Sequence, residues 1–273
     1  SYLLVCNASN REAVMNWINH WRSQRFPNTH INDVTLETVM IAVQGPNAAQ
    51  VMDNLCDSEP SGMRFFSSME TRINGLKSFL GRTGYTGEDG FEVIVDATDG
   101  SHIWQTLISN GMSPCGLGSR DVLRLEAGLA LHGSDIDLTT SPLEAGLDRF
   151  VQLEKEFAGA PVLRKQQNDG INRKLIGLTV KGRNIPRHNY PIIHNNSEVG
   201  HVTSGTMIPY WRFEDANPSE ESGRRAIGLA YLRADLAAGQ PLEIGDGRRT
   251  VEAVIVKRHL DAAKAPFARA EIH

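Results

Sequence analysis

The chain has 273 residues, of which 40% are hydrophobic and 22% are charged, and its formal net charge is −4. This length can bury a large core in two or three domains, and this composition is typical of an ordinary globular protein. The slightly acidic balance, without a long basic run, argues against a nucleic-acid partner, and no apolar run approaches the length of a membrane span.

The first 150 residues mix helical and strand patterns. Apolar residues at helical spacing predict a helix over 10–22, with a capping box from Ser9 to Glu12 and with Trp17 and Trp21 in the core. The further elements predicted here are a strand over 38–43, a helix from Pro46 to Leu55, strands over 63–73 and 76–82 joined by a tight turn at Asn74-Gly75, a strand over 91–95, and helices over 100–109 and 119–129.

After Phe150 the sequence changes to a β-rich pattern. Short alternating runs separated by turns predict a small antiparallel barrel or sandwich. The polar segment from Arg212 to Arg225 is predicted to be a mobile loop. The predicted strands cover 174–180, 190–194, 198–205, 226–232, 241–244 and 250–257. The sequence alone therefore predicts an α+β region followed by an all-β region.

The cysteines and histidines form no recognisable disulfide or metal pattern. Cys6, Cys56 and Cys115 are odd in number and contain no CxxC pair, and the nine histidines include no HExxH motif. We therefore expect neither a disulfide framework nor a metal site, and a reducing compartment fits this usage.

The segment GYTGEDGFE over 84–92 is the most informative stretch of the chain. Its glycines permit a tight turn and the close approach of a ligand, and the apolar run that follows places Glu92 at the start of a strand. A carboxylate held there can accept two parallel N–H bonds from a planar heterocycle, such as the edge of a pterin. The alternative is an acidic surface turn between two strands. We expect Glu88 and Asp89 to be exposed carboxylates of the turn.

Four more segments accompany this motif, in a fixed order: VCNASNRE over 5–12, AVQGPNA over 42–48, CGLGSRDVLRLEAGL over 115–129 and SPLEAGL over 141–147. Together the five resemble the aminomethyltransferase family, the T-protein of the glycine cleavage system. The match extends over nearly the whole chain. The resemblance implies a multi-domain cloverleaf folate-binding fold with a C-terminal antiparallel β-barrel. Its domains would be the remainder of a split α+β domain over 1–40, a central α+β folate-binding domain over 41–150, a connector over 151–173 and the barrel domain over 174–273.

The resemblance also implies a reaction and a set of binding residues. An aminomethyl group passes from a lipoylated carrier, the H-protein, to tetrahydrofolate, with release of ammonia, in a bacterial cytoplasm or a mitochondrial matrix. Glu92 would hold the pterin, and Arg120, Asn7 and Tyr85 would contact the rest of the folate. Each of these residues has an alternative role. Glu92 would be a carboxylate at a strand edge, and Arg120 would form a structural ion pair with Asp121 or Glu126. Asn7 would be an asparagine at a helix entry, and Tyr85 an aromatic residue packed in the core of the hairpin.

The family aspartate that orients the reacting nitrogen is expected upstream of Ser1, so no catalytic residue is assigned. The resemblance implies structural roles for Arg124 and Glu126. Other folate-dependent one-carbon acceptors share the pterin glutamate, among them demethylases and the folate domain of dimethylglycine or sarcosine dehydrogenases. The iron–sulfur assembly factor of the same superfamily is disfavoured, because the connector Lys155-Glu156-Phe157-Ala158-Gly159 lacks that group's cysteine.

Overall fold

The computed structural model describes residues 2–214, 217–245 and 250–258. Within them lie five α-helices: α1 Arg11–Arg25, α2 Ala48–Leu55, α3 Gly100–Ser109, α4 Leu117–Glu126 and α5 Ala160–Asp169. The strands are β1 Thr38–Gln44, β2 Ser68–Ile73, β3 Leu76–Gly81, β4 Gly90–Asp96, β5 Arg173–Val180, β6 Pro191–His194, β7 Ser197–Glu214, β8 Asn217–Arg233, β9 Pro241–Gly245 and β10 Thr250–Val256. No helix in these ranges is long and apolar enough to cross a membrane.

The first four strands form one antiparallel sheet in the order β1-β4-β3-β2. The Asn74-Gly75 turn between β2 and β3 has φ values of 47° and 81°, as a two-residue hairpin turn requires. One face of the sheet, including Phe91 and Val93, packs with α2 and α3 into a single apolar core. Because strand side chains alternate between faces, Glu92 points away from this core.

The remaining six strands close into an antiparallel barrel in the order β10-β5-β8-β7-β6-β9. Its interior is filled by aliphatic side chains, such as Leu178, Ile192 and Ile244. Helix α4 packs against the outside of this barrel at β7 and β8, and Leu125 joins an apolar cluster there with Ile208. The helix that carries Arg120 therefore packs directly on the barrel.

The segment from Arg212 to Arg225 is not a loop where the structure describes it, so that prediction is wrong. Strands β7 and β8 continue through 212–214 and 217–225, while residues 215 and 216 lie outside the described residues. Tyr210 pairs with Gly223 across the hairpin, and the Arg225 guanidinium lies 4.2 Å from the Tyr210 ring centroid. Cross-strand contacts between aromatic and long polar side chains outweigh the polar composition that suggested a loop.

Other predicted boundaries also shift. Helix α5 lies in the predicted connector, where no helix was predicted. The predicted strand over 63–73 begins only at Ser68, because a positive φ of 59° at Phe66 interrupts the extended chain. The predicted helix over 119–129 starts earlier and ends at Glu126, because Gly128 adopts a φ of 73°.

The helix predicted over 10–22 is confirmed as α1, but two details of it are wrong. Ser9 does not cap the helix: it lies in a 3₁₀ turn, and the N-cap Asn10 makes no side-chain capping bond. Trp17 is 56% exposed, and no residue of α1 is buried against the described part of the chain. Helical periodicity identifies the apolar face of a helix and does not determine what covers that face.

Candidate functional site

The loop before β4 is held in place by one side chain of β1, Gln44. Its amide nitrogen donates to the carbonyl oxygens of Thr83 at 3.1 Å and Phe91 at 3.2 Å. Its amide oxygen accepts a hydrogen bond from the Thr86 hydroxyl at 3.2 Å. A single amide thus fixes both ends and the middle of the glycine-rich motif.

Two glycines of the motif approach β1 closely. A Cβ added at Gly84 would lie 1.9 Å from the Gln44 Oε1, and one at Gly90 would lie 2.4 Å from the Val43 carbonyl oxygen. At Gly90 the added atom would meet backbone, so no side chain fits there, whereas at Gly84 the Gln44 amide would have to leave its bonds to the loop. The motif glycines therefore let the loop pack directly on β1, and this packing sets the start of β4.

The two acidic residues at the tip of the motif are not simple exposed carboxylates, so that prediction is wrong. Arg82 donates to both oxygens of Asp89, at 3.0 and 2.6 Å, and these bonds lower the pKa of Asp89. Glu88 is half-buried, and burial raises its pKa. The Arg82 side chain also bonds the Ser61 and Met63 carbonyls, so this pair anchors the loop to the sheet edge.

Glu92 lies in the middle of the sheet, opposite Ala42 of β1 and Gly81 of β3. The Glu92 carboxylate is half-buried. Burial raises the pKa of Glu92, and the positive charge of Arg120 opposes that rise. Among the described residues the Glu92 side chain has no hydrogen-bond or ion-pair partner. A rigid strand therefore presents an unpaired carboxylate, which is the state required to accept donors from a ligand.

Arg120 and Tyr85 contact each other. The Arg120 guanidinium lies 4.7 Å from the centroid of the Tyr85 ring, and the Tyr85 hydroxyl donates to the Ala130 carbonyl at 2.5 Å. The alternative of a structural ion pair between Arg120 and Asp121 fails, because Asp121 pairs with Arg124 at 2.8 Å. Arg120 makes no ion pair within the described residues, so its charge is available to a ligand.

A cavity of about 420 Å³ opens beside this contact, between β1, α3 and α4. Tyr85 and Arg120 line it, together with Ala42, which lies opposite Glu92 in the register. The rest of the lining is mainly apolar, with Trp104 and Leu107 from α3 among its members. The cavity is therefore mainly apolar with the Arg120 cation in its lining, and Glu92 lies one strand away, which suits a heteroaromatic ligand.

The fourth predicted residue, Asn7, is not brought to this group. It is exposed at the start of the 3₁₀ turn over Ala8–Asn10, and its side chain makes no capping bond. Its backbone carbonyl accepts from the Asn10 N–H at 2.9 Å. A folate contact by Asn7 stays a prediction.

The site also depends on residues that sequence reasoning did not identify. Asp135 is fully buried and pairs with Arg124, with 2.5 Å between Arg124 Nη1 and Asp135 Oδ2. Both interact with polar side chains of β7, at Thr203 and Ser204. Asp135 and Thr203 are 68 positions apart in the sequence, and Arg124 and Ser204 are 80 apart, so no local pattern could have shown these pairs. The described residues contain no group of three or more metal-ligating side chains.

Glu126 is a second buried acid near the site. Burial raises the pKa of its carboxyl from 4.5 to about 7, the charge of Arg225 opposes the rise and the charge of Glu88 adds to it. Its Oε1 has no hydrogen-bond partner within the described residues. The expected structural role of Glu126 stays a prediction, and the group is neutral over much of the acidic pH range.

Comparison with protein families gives two matches. Residues 1–155 match the family described as the GCVT N-terminal domain, and residues 173–212 match the glycine cleavage T-protein C-terminal barrel domain. The second match ends at 212, where the outer part of the β7–β8 hairpin begins.

Curated relatives and a solved structure agree with these matches. A protein of Synechococcus sp. (strain RCC307) named aminomethyltransferase is 41% identical over 94% of this chain and 68% of its own length. One of Rippkaea orientalis with the same name is 39% identical over 93% of this chain and 66% of its own length. The crystal structure of glycine cleavage system aminomethyltransferase T from Bartonella henselae is similar with a TM-score of 0.75 and 27% identity, covering 96% of this chain and 68% of that one.

The chain thus spans about two thirds of the length of the relatives that it matches. The likeness confirms the predicted α+β fold class with a C-terminal antiparallel barrel.

Proposed function

The chain belongs to the aminomethyltransferase family, the T-protein of the glycine cleavage system, and from that membership we propose that it transfers an aminomethyl group to tetrahydrofolate. The group arrives on the lipoyl arm of the H-protein. Two tetrahydrofolate nitrogens bond in turn to the methylene carbon. The carbon–nitrogen bond breaks and ammonia leaves, the carbon–sulfur bond breaks and the lipoyl sulfur leaves as a thiol, and methylene-tetrahydrofolate forms. The curated relatives named above are bacterial, and we place the reaction in a bacterial cytoplasm, for which the mitochondrial matrix is the eukaryotic counterpart.

The observation that carries this proposal is the unpaired Glu92 carboxylate on a rigid strand, beside a cavity whose margin holds Arg120. A carboxylate in that state can accept two N–H bonds from the amino-pyrimidinone edge of a pterin. The forked donors of Arg120 suit a carbonyl edge or a carboxylate, and the Tyr85 ring offers an aromatic face. Asn7 is the remaining proposed contact, on the ground of the family motif alone.

The chemistry asks the protein for position and for exclusion of water. An iminium-like one-carbon species hydrolyses in water, so the acceptor nitrogen has to face the incoming carbon in a closed channel. Glu92 and Arg120 supply orientation, and the apolar lining of the cavity excludes water on one side. No protein nucleophile is needed, and we assign no residue of this chain to proton transfer at the reacting nitrogen.

The test is ammonia release from aminomethyl-loaded H-protein on addition of tetrahydrofolate. The chain as printed is compared with its Glu92→Gln variant, and the full-length Synechococcus relative serves as the positive control. We expect folate-dependent release that Glu92→Gln reduces. Tetrahydrofolate binding without release, in an assay where the control is active, would contradict aminomethyl transfer by this chain.

A further inference from the structure

Helix α4 is joined to the barrel by a buried polar network around Arg124. The guanidinium donates to Asp121 Oδ1 at 2.8 Å, to the Leu129 carbonyl at 3.1 Å and to Ser204 Oγ at 3.0 Å, besides its pair with Asp135. The Arg124 side chain is 2% exposed and that of Asp135 is 0% exposed. The charge of Arg124 is thus fixed in the interior, in contact with β7.

Asp135 is equally well engaged. Its Oδ2 accepts the Leu131 backbone N–H at 2.9 Å in addition to Arg124, and its Oδ1 accepts the hydroxyl of Thr203. A buried ion pair whose donors and acceptors are all satisfied has one favourable geometry, and it contributes more to position than to net stability. Thr203 belongs to the barrel, so the barrel sets the place of the Asp135 carboxylate.

This network also fixes both sides of the contact between Arg120 and Tyr85. Arg120 precedes Arg124 by one helical turn on the same face of α4, so holding Arg124 orients it. Tyr85 donates to the Ala130 carbonyl. Ala130 lies between Leu129, which accepts from Arg124, and Leu131, which donates to Asp135. The arginine and the tyrosine at the cavity therefore share one support.

We propose that Asp135, held by Thr203 of the barrel, is a positioning residue for the folate site. It acts through Arg124 on Arg120 and through Leu131 on Tyr85. The identity of the ligand rests on the proposed function, whereas the link from Thr203 to the Arg120–Tyr85 contact does not depend on it. The barrel is thereby part of the binding machinery, although neither Thr203 nor Ser204 lines the cavity.

The test compares three variants of β7. Thr203→Val removes the hydroxyl at nearly constant volume, Thr203→Ser restores it, and Thr206→Val is the matched control. Thr206 lies on the same strand, and the described part of the chain shows no hydrogen bond of its side chain. The protein is labelled with fluorotyrosine, the Tyr85 signal is assigned with Tyr85→Phe, and its ¹⁹F shift is read without ligand. The Kd for tetrahydrofolate is then measured by calorimetry.

We expect Thr203→Val to move the Tyr85 signal toward its place in Arg120→Ala and to raise the Kd about fivefold, as the loss of one net hydrogen bond implies. Thr203→Ser restores both, and Thr206→Val changes neither. Should Thr203→Val not fold by circular dichroism, Asp135→Asn is read in the same way. An unmoved Tyr85 signal overturns the positioning role, whatever the Kd. A moved signal in a chain whose unmodified form binds no tetrahydrofolate supports the positioning role and overturns the proposed function instead.

Discussion

Asp89 and Glu92 are three positions apart, yet they have opposite electrostatic surroundings. Arg82 lowers the pKa of Asp89, whereas burial without a partner among the described residues raises the pKa of Glu92. The first carboxylate stabilises the loop, and the second is costly to ionise in the free protein. A ligand with N–H donors would offset that cost. Glu92 is therefore suited to binding a ligand, whereas Asp89 is suited to holding the loop in place.

Glu92→Gln is expected to weaken tetrahydrofolate binding by about 1–3 kcal/mol, because a charge-assisted pair is lost while the shape is kept. Its free energy of unfolding should stay equal or rise, since no internal partner is lost within the described residues. The measurements are calorimetric titration and urea unfolding. Asp89→Asn is the control and should lose stability, because it breaks the bonds to Arg82. Equal affinity of Glu92→Gln and wild type for tetrahydrofolate would rule out the pterin role of Glu92.

Glu126 makes stability depend on pH. Its pKa is raised from 4.5 to about 7 by burial, with Arg225 opposing and Glu88 adding to the rise. Because the folded pKa is the higher one, the contribution is fully present below about pH 4.5 and is lost as the pH rises through about 7. The ionised form costs about 3 kcal/mol at most, from the size of the shift.

Glu126→Gln cannot ionise, so we expect the stability difference between variant and wild type to shift in favour of the variant by up to about 3 kcal/mol between about pH 5 and pH 8. Urea unfolding at four pH values measures this. Glu70→Gln, at an exposed carboxylate of β2, is the control and should give a difference that hardly changes with pH. A difference for Glu126→Gln that is constant over this range would show that the buried carboxyl titrates normally.

Single residues differ in how far the sequence reveals them. Glu92, Arg120 and Tyr85 could be named because each lies in a short motif with a family resemblance. Arg120 and Tyr85 line one cavity, Glu92 lies opposite Ala42 of that lining, and their roles toward folate stay predictions. Asp135 and Thr203 could not be named, because their roles arise from a contact across 68 positions. Burial of a charge is a property of the packed molecule, and no local pattern states it.

Among the helices and strands, features set by adjacent residues could be predicted, and features set by contacts with distant parts of the chain could not. The Asn74-Gly75 turn was confirmed because its positive φ values are a requirement of those two residues alone. The outer part of the β7–β8 hairpin was missed because its strands are stabilised by each other across the turn. A polar composition predicts that a segment is exposed, and an exposed hairpin can have the same composition as an exposed loop.

The junction of β1 and β4 gives a prediction at this scale. Gly90 begins β4 opposite Gln44, and a Cβ there would meet the Val43 carbonyl oxygen at 2.4 Å. Gly90→Ala should therefore separate the two strands and lower the free energy of unfolding by about 1–3 kcal/mol, the range for overpacking. Gly62→Ala is the control, because a Cβ at Gly62 has no atom within 4 Å. If both variants unfold at the same urea concentration, β1 accommodates the methyl group and the close approach is not required.

Over the whole molecule, the C-terminal end of the described chain contacts the turn after α4 and the turn at Ala145 through Arg258. Its guanidinium donates to the Gly128 carbonyl at 2.9 Å and to the Ala145 carbonyl. Burial lowers the pKa of Arg258. Gly128 has a φ of 73°, and a Cβ there would lie 2.0 Å from the Arg258 carbonyl oxygen. Arg258 and the Arg124 network therefore join the barrel to α4 and to the turn at Ala145, and this predicts that sheet region and barrel unfold together.

We expect the Arg258→Met substitution to make the sheet region and the barrel unfold at different urea concentrations. Two single-tryptophan backgrounds report on the two parts, Trp104 on α3 and Trp211 on β7, with phenylalanine at the other tryptophans. With Arg258 present the two urea transitions should coincide, as two-state unfolding requires, and with the Arg258→Met substitution in both backgrounds they should differ in midpoint. Lys181→Met, which breaks only the exposed pair with Glu252, should leave them coincident. Coincident transitions in Arg258→Met would mean that the Arg124 network alone couples the barrel to the sheet, and then Thr203→Val in the same backgrounds should separate them.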